Sequence, residues 1–99
     1  MKLAFHPAVQ QDLAEALAFY ENKGGPHLAD RFEKEFRLCL SAIRAGPSRF
    51  PLYLGSKVFR RVRFRSFPYL IVYKEKADVV RVTVLKHEKR SPRFAMSRR

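Results

Sequence analysis

The spacing of apolar residues splits the chain into two halves with different periods. Val9, Leu13, Leu17 and Tyr20 recur at helical spacing, with Ala14, Ala16 and Ala18 between them. Pro7 suits the first position of such a helix, where a missing N–H costs nothing. Gln10, Gln11, Asp12 and Glu15 put polar and acidic groups near the positive end of its dipole. Gly24-Gly25-Pro26 ends the helix and turns the chain. Leu28, Phe32, Phe36, Cys39 and Ile43 then form one apolar stripe, widened by Leu40, which predicts a second helix over 26–45. Gly46-Pro47 stops it. The short connection predicts an antiparallel helical hairpin.

In the second half the period becomes two. Over 57–65, Val58, Val62 and Phe64 are expected on one face and Lys57, Arg61, Arg63 and Arg65 on the other, although Phe59 and Arg60 interrupt the alternation. Residues 67–74 are rich in Tyr, Leu, Ile and Val and read as a central strand. Over 79–87, Val80, Val82 and Val84 are expected on one face, with Arg81, Thr83 and His87 on the other. Lys76-Ala77-Asp78 supplies a hairpin turn. Ser91-Pro92 closes the strand region, and the basic tail over 93–99 is expected to fray at its end. Residues 2–5 read as a short additional strand. The predicted fold is therefore a single α+β domain over 1–99, two-layered, in the order β-α-α-β-β-β. Its antiparallel sheet is covered on one face by the helical hairpin. The open face would carry Arg61, Arg63, Arg65, Arg81 and His87. Like charges set across strands are unfavourable, so such a face points to a ligand.

Charge sharpens this picture. The 99 residues carry 21 Lys+Arg against 9 Asp+Glu, a net charge of +12. Residues 1–50 hold 7 basic and 6 acidic side chains, and residues 51–99 hold 14 and 3, so +11 of the excess lies in the second half. Segregation on this scale implies an anionic partner, a polyanion or an acidic protein. The apolar share of 46% is ample for a core. One cysteine excludes an internal disulfide, and Cys39, on the apolar stripe, reads as a small hydrophobe. No apolar run approaches a membrane span, and no leader pattern is seen, so a cytoplasmic location is expected. His6, His27 and His87 have no metal-ligand spacing, and no phosphate-binding glycine motif is present, so no metal or cofactor is expected. His6 is expected near a helix start.

Two chemistries remain for the basic half. His87 beside Arg61, Arg63, Arg65 and Arg81 has the proton carrier and the cations that metal-free RNA cleavage needs. The same residues also serve plain binding, and a second proton carrier is not evident, since Glu88 would point to the opposite face from His87 in a regular strand. Phe67, Tyr69 and Tyr73 have base-stacking chemistry. Their parity with Ile71 assigns them to the core.

Read together, these pieces resemble the RelE/ParE superfamily of toxins from bacterial type II toxin–antitoxin modules, often labelled plasmid stabilization proteins. The resemblance rests on His6-Pro7-Ala8 before an alanine-rich helix ending Phe19-Tyr20, on Phe32 and Phe36, and on Pro47-Ser48-Arg49-Phe50-Pro51. It continues through Arg60-Arg61-Val62, Phe67-Pro68-Tyr69, Val72-Tyr73, Val84-Leu85-Lys86-His87 and Arg90-Ser91-Pro92. It implies a small growth inhibitor neutralised by an acidic antitoxin. Members of the RelE type are ribosome-dependent mRNA endonucleases, and members of the ParE type poison DNA gyrase. Leu70 stands where the nucleases tend to have arginine, and Phe94 falls near their C-terminal tyrosine. The resemblance therefore leans to the ParE-type branch. It implies target-binding roles for Arg61, Arg63, Arg65, Arg81, His87, Arg90 and Arg93, and catalytic roles for His87 and Arg63 only in a RelE-like enzyme. A nucleic-acid-binding module without toxicity is the remaining alternative.

Overall fold

A computed structural model describes residues 1–98, apart from the side chain of Phe94, so the position set against the nucleases' tyrosine lies outside the described side chains. The elements are β1 (Lys2–Phe5), α1 (Val9–Gly24), α2 (Pro26–Ala45), β2 (Phe59–Arg63), β3 (Tyr69–Lys76), β4 (Val79–His87) and α3 (Pro92–Ser97), with a 3₁₀ turn over Pro47–Arg49. The expected α+β architecture and the order β-α-α-β-β-β hold. The second helix spans the predicted residues, because Pro26 starts it and Gly46 ends it. The first begins two residues later than Pro7 suggested. His6 opens it instead, its Nδ1 accepting the Ala8 N–H at 3.0 Å and its carbonyl accepting the Val9 N–H at 3.0 Å.

The strand order is β1-β4-β3-β2. β2–β3 and β3–β4 are antiparallel hairpins, but β1 lies parallel to β4, so the sheet is mixed rather than wholly antiparallel. The helical hairpin separates β1 from the later strands and returns the chain far enough for a parallel pairing, which a tight turn cannot do. The turn at Ala77-Asp78 takes Ala77 into the left-handed region, φ 57°.

The main core lies between the sheet and the hairpin. Phe32, Phe36, Cys39 and Ile43 of α2 meet Val62, Ile71, Tyr73, Val80, Val82 and Leu85 of the sheet. Tyr20, Phe32, Phe64, Phe67 and Tyr69 form an aromatic cluster at one end, with ring centroids 4.8–6.2 Å apart. The core role expected of Phe67, Tyr69 and Tyr73 is thus what these rings do. The Tyr73 hydroxyl donates to the Pro47 carbonyl at 2.5 Å, and burial pushes its phenol up to about 12. Burial likewise pushes the Cys39 thiol up to about 11, with Glu35 adding to it.

The sheet's second face is not open. Tyr53, from the loop before β2, and Ala95, from α3, lie buried against Leu70, Val72 and Val84, with Phe59 and Met96 at the margin. The basic tail therefore does not simply fray, since Pro92–Ser97 is helical and covers apolar surface.

A bulge in β4 decides which side chains reach which face. Val72 pairs with Val84, but Tyr73 pairs with Val82, leaving Thr83 as an extra residue. Val80 and Val82 face the helices, whereas Val84 faces the other way, against the expected alternation. The face carrying Leu85 then carries His87, and that carrying Val84 carries Lys86.

The bulge sits where β1 stops. The His6 N–H donates to the Val82 carbonyl at 2.8 Å, and beyond it no strand among the described residues pairs with β4 on that side. Asp12 of α1 fills the gap: its Oδ2 accepts the Leu85 N–H at 3.1 Å. Arg98 closes the arrangement, donating from Nη2 to Asp12 Oδ1 at 3.0 Å and from Nη1 to the Thr83 carbonyl at 3.2 Å. The Asp12 side chain is buried and that of Arg98 mostly so, 5% and 14% exposed. Removing one partner of a buried pair strands the other charge, at a cost of ~3–5 kcal/mol. Asp12→Ala is expected to destabilise the fold by about that amount in urea unfolding. The loss in the Asp12→Ala, Arg98→Ala double variant should be clearly smaller than the sum of the two single losses. Additive losses would mean that the pair does not act as a unit.

Candidate functional site

β2 presents Arg61 and Arg63 to the second face, opposite Val72 and Leu70 respectively. The alternation that predicted this is real from Phe59 onward. Val58 precedes the strand and is exposed instead of sharing the buried face of Val62 and Phe64. The two arginines line a cleft of ≈ 310 Å³ with Tyr53, Leu54, Leu70, Glu88 and Pro92. An Arg63 Nη2 forms an ion pair with Glu88 Oε1. Glu88 is fixed from its backbone, its N–H donating to the Pro68 carbonyl at 2.9 Å. The Tyr53 phenol is raised by burial, with the Arg61 guanidinium acting the other way.

Lys86, opposite Leu70 and only 2% exposed, does not line this cleft and borders the pocket of His87. Its Nζ donates to the His87 carbonyl at 3.0 Å. Its pKa is lowered from 10.5, mainly by burial, then by Arg90, with Glu88 opposing. At the cleft the second face therefore offers Arg61 and Arg63, with Glu88 as a counter-charge. Arg81 shares the face but sits at its far end, beside Lys74 and two residue pairs along the strands from Arg61. Lys74 lies over the Phe59 ring, 5.7 Å from its centroid.

The remaining candidates are elsewhere. Arg65 lies beyond the end of β2 and, with Arg63, borders a groove of ≈ 450 Å³ over Leu38, Cys39, Ala42 and Val62, next to α2. Glu35 stands at the same groove and accepts the Ser66 N–H at 2.6 Å. Arg90 and Arg93 are exposed, Arg93 in the first turn of α3. His87 is on the helix side, contrary to the expectation that it shares a face with the arginines. Its ring meets Tyr69 edge to face at 5.3 Å, and it lines a separate pocket of ≈ 220 Å³ with Asp12, Glu15, Phe19 and Arg90. Its Nδ1 accepts the Lys89 N–H at 3.1 Å, which leaves the proton of the neutral ring on Nε2. The Tyr69 phenol in that pocket is raised first by burial, then by Tyr20 and Glu15, with Arg90 opposing. The Thr83 bulge causes the separation: one extra residue exchanges the faces of everything after it.

Tyr53, Lys86 and Glu88 are the site residues that the sequence pattern missed. Tyr53 lies in a loop with no periodicity to place it. Lys86 would have been assigned correctly once a bulge was allowed at Thr83. Glu88 was expected on the face away from the arginines, and the exchange of faces after Thr83 brings it to Arg63 instead. Among the described residues, no group of three or more His, Cys, Asp or Glu side chains is gathered to hold a metal ion. Among them, too, no helix is long and apolar enough to cross a membrane.

Lys86→Met tests the burial of that cation. The His87 carbonyl keeps its bond from the Arg90 N–H at 3.1 Å, so the change strands no acceptor. Because the Lys86 pKa is lowered on folding, the unfolded chain binds the extra proton, and the native lysine's cost is greatest below its folded value. Lys86→Met is expected to match or exceed the native chain in urea at neutral pH, by about 1 kcal/mol. That advantage should shrink as pH rises from the lowered value toward 10.5. An advantage that grows with pH would contradict the assignment.

Comparison with known proteins completes the description. The model of the family described as "ParE toxin of type II toxin-antitoxin system, parDE" matches residues 3–92. Among solved structures, one titled as the chromosomal ParDE TA system from P. aeruginosa aligns with a TM-score of 0.78 at 12% identity, over 88% of this chain and 95% of that one. The isolated E. coli RelE toxin aligns with a TM-score of 0.58 at 19% identity, over 97% of this chain and 93% of that one. At these identities the two structures share the fold. No curated protein matches the chain.

Proposed function

The chain belongs to the ParE toxin family of type II toxin–antitoxin systems, and from that membership we propose that it arrests bacterial growth from the cytoplasm by inhibiting DNA gyrase and is neutralised by an acidic antitoxin. The observation that carries the reading is the family match over residues 3–92. The physical support is the second face, where β2 holds Arg61 and Arg63 on the sheet. A cationic surface of this kind attracts an acidic polypeptide quickly and disfavours basic ones. Arg61 and Arg63 are the proposed principal contacts, with Arg81, Arg90 and Arg93 flanking them. Arg65 and His87 contribute from their own surfaces.

The ribonuclease alternative draws on the likeness to the RelE fold. It requires His87 and Arg63 to act on one phosphate, as base or acid and as charge stabiliser. They lie on opposite faces, His87 beside Tyr69 and Arg63 beside Leu70. Without a rearrangement around the bulge they do not meet on one substrate, which favours inhibition by binding over RNA cleavage.

Induced expression is expected to stop growth, and co-expression of the antitoxin encoded beside it to restore growth. Purified toxin should trap cleaved DNA on gyrase. Changing both Arg61 and Arg63 to Ala should raise the dose required about tenfold or more, equivalent to ~1.4 kcal/mol of lost binding. Absence of gyrase trapping at every dose would remove gyrase as the target. New mRNA ends in arrested cells that vanish in His87→Ala would establish the nuclease instead, and absence of growth arrest would leave a non-toxic nucleic-acid-binding module.

A further inference from the structure

The Arg61–Arg63 cleft already contains a carboxylate. Glu88 comes from the turn after β4, enters a cleft otherwise lined by two arginines, a tyrosine and the apolar Leu54, Leu70 and Pro92, and pairs with Arg63. The pair is not sealed in. The Arg63 and Glu88 side chains are 55% and 31% exposed, so water and other anions reach both. Exposed pairs of this kind are weak and exchange readily. The backbone that carries Glu88 is anchored to Pro68, so its carboxylate can leave Arg63 by side-chain rotation alone.

Leu54 also borders a neighbouring shallow groove of ≈ 630 Å³ lined by Val58, Phe59, Met96 and Lys74. Leu54 and Val58 are 61% and 56% exposed there. An anion site borders apolar surface, with a second cation beyond it. That sequence of chemistries fits an extended acidic segment with apolar residues between its carboxylates. It suits a phosphodiester backbone poorly, since phosphates keep their water and gain nothing from Leu54 and Val58.

We propose that Glu88 is a built-in competitor: its carboxylate occupies the position on Arg63 that a carboxylate of an acidic, partly apolar protein segment takes when a partner docks across the Arg61–Lys74 groove. The proposal rests on the reading that this face engages an acidic antitoxin, and it adds how the chain regulates that engagement. Glu88 lowers affinity for every acidic segment. Only a partner that also covers Leu54 and Val58 gains enough to displace it, so the competitor sharpens selection among acidic proteins.

The test uses the full purified chain and two labelled probes, an oligoglutamate peptide interrupted by leucines and an oligothymidylate of equal charge, followed by fluorescence polarisation. Glu88→Gln keeps the shape and removes the competing charge. It should bind the peptide about two- to fivefold more tightly, the range expected when an exposed pair no longer has to be broken. Glu21→Gln makes the same change in net charge on the exposed surface of α1 and should leave peptide affinity nearly unchanged. In an Arg63→Gln background the gain from Glu88→Gln should disappear. Urea midpoints of each variant show that the fold is retained. The proposal is overturned if Glu88→Gln gains no more than Glu21→Gln, or if the gain survives Arg63→Gln. An equal gain for the oligothymidylate would also overturn it, by making the site a general anion site. The assay contains no gyrase and no cells, so a failed growth-arrest experiment does not affect it, and a failed peptide exchange leaves the toxin assignment standing.

Discussion

The free edge of β4 beyond Val82 is the constraint on which the rest of the structure depends. β1 is only four residues long and pairs with β4 only as far as Val82, so among the described residues no strand covers the second half of the longest strand on that side. A buried strand edge with unpaired N–H and C=O groups is costly. The chain resolves this with one carboxylate and one guanidinium. Asp12 takes the Leu85 N–H, Arg98 takes the Thr83 carbonyl, and the two bind each other. Helix α1, the bulge and the chain end are tied together at a single point.

Two consequences follow for the surface. The bulge sends His87 toward α1 and Tyr69, and brings Lys86 to the face of Arg61 and Arg63. Arg98 holds the end of α3, which places Ala95 and Met96 over Val84 and its neighbours. The cationic face is consequently divided. Arg61 and Arg63 gather at one end with Glu88, and Arg81 and Lys74 lie at the other. A partner meets two cationic points separated by apolar surface, a more selective pattern than a uniform positive sheet.

Much of the fold was legible because local signals agreed with the tertiary result. Pro26 and Gly46 bracket α2, and its stripe of Phe32, Phe36, Cys39 and Ile43 is the stripe that is buried. The family resemblance read from short ordered motifs agrees with the family match. What was not legible turned on single residues coupled over long distances. Thr83 is a good strand former, and Val80, Val82 and Val84 alternate regularly, so nothing local marks the bulge. Asp12 looks like an ordinary first-turn acid. Its buried role depends on Arg98, 86 residues away. Helix α3, six residues long, is too short to show a period, and its burial comes from small contacts at Ala95. The only available clue was that Val9, Asp12 and Ala16 share one side of α1, which puts a carboxylate on an otherwise apolar face.

Native-state amide hydrogen exchange at Leu85, in the native chain and in Asp12→Asn, tests this account most directly. If Asp12 closes the edge, the Leu85 N–H is protected nearly as well as the central amides of Ile71 and Val82. In Asp12→Asn its protection should fall selectively, by about tenfold or more, while those two amides change only with global stability. A Leu85 amide that exchanges like an exposed one in the native chain, or whose protection is the same in Asp12→Asn, would contradict the central role given to this contact.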